Sequence, residues 1–297
     1  MPRPPRDTDA TPADRAFVLL QRLLPTHPLS RVVHWFMRLR IRFVKNLVIR
    51  LLMRIYRINL DEALIQDIRG FASFNEFFTR ALKPGARPLP EAPGAVASPV
   101  DGRIYQAGSI EEGRIFQAKG HSFSAAELLG SDPARAAPFY GGSYATIYLA
   151  PHNYHRIHMP IAGRLREMVY VPGRLFSVNP ATTRALPNLF ARNERVAAIF
   201  QTAAGPMAVV LVGALFVGSI ETVWAGEITP PRGSRMVTTR YSEDSPSAVE
   251  LAQGAELGRF NMGSTVILLF GRKVLNWSDW LAPDVPVRMG QEIGRLV

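Results

Sequence analysis

The residues best suited to chemistry are few and sit at informative places. Near the C-terminus, Gly263-Ser264 lies between Gly258-Arg259-Phe260-Asn261 and the apolar run Val266-Ile267-Leu268-Leu269-Phe270. Glycine offers an unhindered carbonyl, and the adjacent serine hydroxyl can attack it in an N→O acyl shift if the backbone is strained and the hydroxyl activated. Alone, the same stretch also reads as a turn entering a strand. Of the six histidines, His152, His155 and His158 cluster between Pro151 and Pro160. As metal ligands, His155 and His158 would use their spacing on one helix face. The bracketing prolines point instead to extended chain, where residues three apart face opposite ways and take separate roles. Asp101, in Ser98-Pro99-Val100-Asp101-Gly102, reads either as a turn carboxylate bonding nearby amides or as the orienting acid of a Ser-His-Asp set. The chain order would be Asp101, His158, Ser264, and nothing in the sequence alone brings the three together.

The elements that must position these residues are mostly strands. From about residue 96, short apolar runs (Tyr144 to Leu149, Val196 to Phe200, Met207 to Val212, Thr265 to Phe270) alternate with glycine- and proline-rich turns, the texture of a β-rich domain. Ala125 to Leu129 and Leu186 to Arg192 read as short helices or loops. Phe74 to Arg80, closed by Pro84-Gly85, reads as a short helix joining an N-terminal helical part to the β core. The expected class is α+β: N-terminal amphipathic helices on a β-rich catalytic core.

The 297-residue chain contains no cysteine, which excludes disulfides, thiolate catalysis and cysteine metal sites. Its net charge of +11 is carried mostly by arginine, with lysine only at Lys45, Lys83, Lys119 and Lys273. Residues 1–14, rich in proline and charge, read as a flexible tail. No signal-peptide pattern follows them, and no apolar stretch is long enough to span a bilayer. Residues 31–60 contain eight basic residues and no acidic one. Within them Trp35, Leu39, Phe43 and Leu47 recur at helical spacing, with Arg38, Arg42 and Lys45 on another face. Such a segment either lies on an anionic membrane or packs on the core with a solvated basic face. A nucleic-acid partner is disfavoured, because no helix-turn-helix, zinc-finger or RNP signature accompanies the charge.

These segments together resemble the phosphatidylserine decarboxylases, pyruvoyl-dependent membrane enzymes, in their prokaryotic form. The matching pieces are FNEFFTR (74–80), SPVDG (98–102), AKGHSFS (118–124), YHRIHMP (154–160), YVPGRLFSVNP (170–180), NLFARNERV (188–196), LVGALFVGSIETVWAG (211–226) and GRFNMGSTVILLF (258–270). They follow the family order over about residues 70 to 270. One departure is Met262 where the family more often has leucine, a change that conserves volume and polarity.

The resemblance implies a proenzyme that cuts itself between Gly263 and Ser264, with Asp101 and His158 activating the Ser264 hydroxyl. A β chain of residues 1–263 and an α chain of residues 264–297 would stay associated. Ser264 would become an N-terminal pyruvoyl group, the only cofactor implied, with no metal. It would form a Schiff base with phosphatidylserine and accept electrons as carbon dioxide leaves, giving phosphatidylethanolamine. His155 would be the acid-base group at that step. The division implied is a tail (1–14), membrane-binding helices (15–70) and a catalytic core (71–297). The enzyme would be a homo-oligomer held peripherally on the cytoplasmic side of the cell membrane. The rival readings are an inactive homologue that binds anionic lipid, and a serine hydrolase, which the lack of a Gly-x-Ser-x-Gly elbow disfavours.

Overall fold

The computed structural model describes residues 9–118, 120–216, 219–229, 235–242, 248–261 and 265–297. The fold is α+β, with three N-terminal helices against a β-rich core. Helix α1 (Pro12–Leu23) starts inside the stretch read as a tail. Thr11 and Asp14 form a reciprocal capping box, each accepting from the other's backbone N–H at 3.1 Å, and Pro12 suits the first helical position. Asp14 also pairs with Arg184 at 3.0 Å, and the Gln21 side chain donates to Thr182 Oγ1 at 3.2 Å. Val18 enters the main core beside them. The signal in sequence was local proline and charge, whereas the partners that order this segment lie 161 and 170 residues away.

Helix α2 (Thr26–Met37) and helix α3 (Arg42–Tyr56) divide the basic segment at residues 38–41. The faces are not those the spacing suggested. Lys45 is 4% exposed, and its ammonium donates to the carbonyls of Ile68 at 2.9 Å and Phe71 at 2.6 Å. It is therefore an interior anchor and not part of a basic surface with Arg38 and Arg42. Arg38 is paired with Glu227 at 2.7 Å, as is His34 at 2.8 Å, tying α2 to the hairpin after Ile220. The outward surface mixes exposed Trp35 (64%), Phe43 (77%), Leu47, Leu51 and Ile55 with exposed Arg31, Arg40, Arg42, Arg50 and Arg54. Inward, Ile49 joins Phe71, Phe74, Phe77 and Phe78 in a separate apolar cluster. The last three belong to helix α4 (Phe74–Phe78), which Ser73 caps through the Glu76 amide.

Among the described residues nine strands form one antiparallel sheet. Its path runs Val237–Arg240, Gly163–Val171, Arg195–Thr202, Gly205–Val212, Thr265–Phe270, Ser143–Tyr148, Gly102–Ser109 and Pro286–Val287, with Glu250–Leu251 also on Gly163–Val171. Thr265–Phe270 is central and buried at all six positions, which explains its unbroken apolar run. Thr265 pairs with both Tyr148 and Val212, and Tyr148 pairs with Arg103. One end of the sheet therefore gathers the start of two strands and the finish of two others. A smaller sheet orders Gly226–Glu227, Ile220–Thr222, Glu256–Phe260 and Arg156–His158, and a third orders Ala95–Ala97, Glu292–Leu296 and Leu275–Trp277.

The burial of Lys45 generates a test. Lys45→Met removes two charge-assisted hydrogen bonds and strands two buried carbonyls. The expected loss is about 2–3 kcal/mol of folding stability in urea denaturation, with vesicle binding little changed. A stable variant that no longer binds vesicles would return Lys45 to the surface role.

Candidate active site

The chain segments that meet or enter the shared sheet end carry the candidate side chains. Asp101 lies two residues before Arg103, the histidine loop follows Tyr148, and residues 261–264 lead into Thr265. Gly102 makes the first approach possible, since a Cβ there would lie 2.5 Å from the Tyr148 carbonyl oxygen. The His158 amide donates to the Pro99 carbonyl at 2.9 Å, which ties the Asp101 loop to the histidine loop. Met262, Gly263 and Ser264 lie outside the described residues.

Asn261 marks the entrance to that segment. It is buried, its amide and side-chain nitrogens donate to Ser219 O at 2.9 Å and Ser219 Oγ at 2.8 Å, and Asn75 donates to its Oδ1 at 2.9 Å. The preceding amide, of Phe260, donates to the His155 carbonyl at 3.1 Å. At the exit, the buried Thr265 Oγ1 has no partner among the described residues.

His155 is fully buried, and its ring packs against Phe78 with centroids 4.0 Å apart. Its Nδ1 lies 2.8 Å from the Asn153 carbonyl. A carbonyl only accepts, so the proton is on Nδ1 and the Nε2 lone pair is free. That Nε2 has no partner among the described residues. Burial first, then the positive charge of Arg80, pushes the imidazole down to about 3, against the opposing Asn153 hydrogen bond. The ring is neutral at physiological pH.

His158 is set in the same tautomer by a different carbonyl. Its Nδ1 lies 2.8 Å from Gly254 O, in a turn where Gly254 has φ +76 and a Cβ would press to 2.5 Å from Leu89. Its Nε2 is 3.0 Å from the Tyr154 hydroxyl. Burial lowers its proton affinity, partly offset by the Gly254 carbonyl and by the charges of Glu256 and Asp101. Tyr154 is pushed up to about 12, chiefly by burial, so its hydroxyl keeps its proton and donates to Nε2. A register shift between Glu256 and Gly258, opposite His158 and Ile157, is the kind of bulge that re-aims side chains beside a site.

Asp101 does not hydrogen-bond to His158. Arg87 grips both carboxylate oxygens at 2.9 and 2.6 Å, and the Met289 amide donates to Oδ1 at 2.8 Å. The structure thus brings Asp101 into electrostatic reach of His158 while its hydrogen bonds go elsewhere. Sequence reasoning missed Arg80, Arg87, Tyr154 and Asn261. Their signal was polar character inside otherwise apolar or turn-forming motifs, which spacing alone could not assign. Among the described residues no group of three or more His, Cys, Asp or Glu could hold a metal ion.

The chain is similar to known proteins along most of its length. The family model described as "Phosphatidylserine decarboxylase" matches residues 74–295, and one described as "PSD" matches residues 16–57. A "Phosphatidylserine decarboxylase proenzyme" of Pseudomonas putida is 58% identical over 279 residues, covering 94% of this chain and 97% of that protein. Proteins of the same name from Ectopseudomonas mendocina and Stutzerimonas stutzeri are 57% and 56% identical, each with at least 94% of this chain covered and 98% and 95% of their own lengths. The chain belongs to the phosphatidylserine decarboxylase family.

Proposed function

We propose that this protein converts phosphatidylserine to phosphatidylethanolamine and carbon dioxide after cutting itself between Gly263 and Ser264. The observation that carries the reading is the row of paired residues Arg103, Tyr148, Thr265 and Val212. Asp101 lies just before that row, the segment carrying His155 and His158 follows Tyr148 out of it, and residues 262–264 precede Thr265 in the chain, which supports their meeting there.

In the self-cleavage step the Ser264 hydroxyl attacks the Gly263 carbonyl, its proton goes to His158, and the peptide C–N bond breaks to give an ester. The ester eliminates across the Cα–Cβ bond, which frees the Gly263 carboxylate and leaves residue 264 as dehydroalanine; water then hydrolyses its imine tautomer, releasing ammonia and leaving a pyruvoyl group. His158 suits the base role because Nδ1 is committed to Gly254 and only Nε2 can take a proton. Tyr154 must yield Nε2 or relay the proton through its own hydroxyl. Asp101 acts on His158 through charge across the gap, held in place by Arg87.

The residues at the junction fit a small carbonyl group there, since the buried Thr265 hydroxyl, without a partner among the described residues, can donate to its oxygen, while His155 Nε2, likewise unpartnered there, is left to take a proton. A pyruvoyl group supplies a ketone that can condense with the substrate amine and take up the electron pair released with carbon dioxide. His155, neutral with its lone pair free, accepts a proton at Nε2 and returns it to the substrate carbon. Buried Phe78 and Phe260 help to keep water from that proton.

The membrane is reached by helices α1–α3. No helix among the described residues is long and apolar enough to cross it, so docking is peripheral, on the anionic leaflet where the substrate lies. Each exposed arginine contributes about 1 kcal/mol of attraction near such a surface, and exposed Trp35, Phe43 and Leu47 supply the apolar hold. The family resemblance further supports a homo-oligomer on the cytoplasmic face.

Processing and turnover are separable by mutation. Ser264→Ala should remain one chain on a gel, and Asp101→Ala and His158→Ala should cleave at least about 100-fold more slowly. His155→Ala should still cleave yet lose about 10²–10⁴-fold in decarboxylation. Equal cleavage and activity in the two histidine variants would end this division of labour.

The pH dependence follows from the direction of the shifts. A base works unprotonated, and His158 is held below the ordinary imidazole value of about 6.5. Self-cleavage should therefore stay at its plateau as pH falls to about 6.5 and decline only below it. A half-maximal rate above pH 7 would contradict the environment described for His158.

Docking is tested by replacing Trp35, Phe43 and Leu47 with serine. Vesicle co-sedimentation should be lost at low and high salt, while the gel still shows two chains. If the triple variant still sediments with anionic vesicles, the anchor lies elsewhere on the protein.

A further inference from the structure

A cleft of about 280 Å³ opens beside the histidine loop, next to the C-terminal end of α3. It is lined by Arg57, Glu62, Arg80, Arg87, Asp101 and Arg288, among others. Most of its charged groups are already committed. Arg87 serves Asp101 and Glu62, and Arg288 serves Glu62. Arg80 differs. It is 7% exposed, it lies over the Phe77 ring, and its Nη2 donates to the His152 carbonyl at 3.2 Å. Its Nη1 has no partner among the described residues. A guanidinium only donates, and leaving a buried donor unmade is costly, so this atom calls for an acceptor beyond the described residues.

Position narrows what that acceptor is. His152, which holds Arg80, and Asn153, which holds His155, are consecutive. An anion on Arg80 is therefore close to the group that faces the proposed chemistry. In a phosphatidylserine headgroup the phosphate and the amine are separated by one oxygen and two carbons, a short span that suits two such neighbouring posts. The anion is not the carboxylate that departs. A guanidinium on that group would stabilise the ground state and lose its partner as carbon dioxide forms, which opposes catalysis. A phosphodiester keeps its charge throughout. The rim points the same way, since Arg57 and Ile58 follow directly on α3, whose Leu51 and Ile55 are exposed for contact with a bilayer.

We propose that this cleft is the phosphodiester subsite of the lipid substrate, with Arg80 Nη1 as its main donor. The assignment rests on the decarboxylase reading for the identity of the lipid. It makes Arg80 a binding residue, felt equally in ground and transition states.

The test uses mature, self-cleaved protein and a binding measurement that does not need turnover. In calorimetry, glycerophosphoserine should bind the wild type, Arg80→Gln should weaken it at least tenfold, and Arg80→Lys should recover part of the loss. Serine without phosphate should bind far more weakly than the diester. With phosphatidylserine in micelles, Arg80→Gln should raise KM about tenfold with kcat within threefold, and leave vesicle co-sedimentation unchanged. Diester binding equal in wild type and Arg80→Gln, or kcat falling with KM unchanged, overturns the subsite. Inorganic phosphate binding as tightly as the diester marks a free-anion site and overturns the headgroup assignment. If Arg80→Gln shows no cooperative melt, Arg288→Gln on the exposed rim replaces it, with about threefold weaker diester binding expected and unchanged binding counting against the cleft. Should the wild type bind the diester yet release no carbon dioxide from phosphatidylserine, the decarboxylase reading fails and the anion subsite stands.

Discussion

Everything at the site depends on how strand Thr265–Phe270 is held. It sits between Gly205–Val212 and Ser143–Tyr148 with six register pairs on each side, and its side chains are all buried. Five are apolar, and at about 2 kcal/mol each their burial is worth roughly 10 kcal/mol before entropy is charged against it. Beyond it, Leu275–Trp277 and Glu292–Leu296 pair with each other, and the latter with Ala95–Ala97. A chain cut just before Thr265 would lose no pairing in either sheet, so the C-terminal piece would stay in place without a covalent link. The same strand fixes the register from which the loops of Asp101 and the histidines project.

Beside that frame the site spends stability on unmet polar groups. A fully buried histidine whose Nε2, and a buried arginine whose Nη1, have no partner among the described residues are each unfavourable in isolation. Each is held by a single backbone carbonyl, from Asn153 and His152, and by ring packing on Phe78 and Phe77. Helix α4 supplies both rings, and its Asn75 also reaches Asn261. A five-residue helix thereby serves three parts of the site, and the separate apolar cluster of Ile49 and the phenylalanines is what keeps it rigid.

How much of this could be read from the sequence depended on the range of the interaction. The α+β class and the strands at Tyr144, Met207 and Thr265 were legible, because apolar runs between turns report local structure directly. The long strand Gly163–Val171 was not, since Arg164, Arg166 and Glu167 interrupt its apolar pattern. The helical spacing of residues 31–60 was real, yet it could not say which face met the protein; Lys45 turned inward because two carbonyls at residues 68 and 71 await it. Asp101 and His158 were legible as chemical types. That Asp101 would be gripped by Arg87 and the Met289 amide, the latter 188 residues away, was not, because no local pattern records such a pairing.

The two histidines show why residue type underdetermines role. Both carry the proton on Nδ1, each fixed by a backbone carbonyl at 2.8 Å, so they present the same basic nitrogen. Their surroundings separate them. Nε2 of His158 already meets a hydroxyl, that of Tyr154, in a half-buried position with Asp101 and Glu256 close enough to favour the protonated ring. Another hydroxyl can replace the first there at little electrostatic cost. Nε2 of His155 has no partner among the described residues, lies in full burial, and faces the positive charge of Arg80, so a proton there calls for an anion or a newly formed partner to compensate it. On the function proposed above, the first environment suits a base that acts once on a serine of its own chain, and the second suits a group that takes and returns a proton only with an anionic substrate in place.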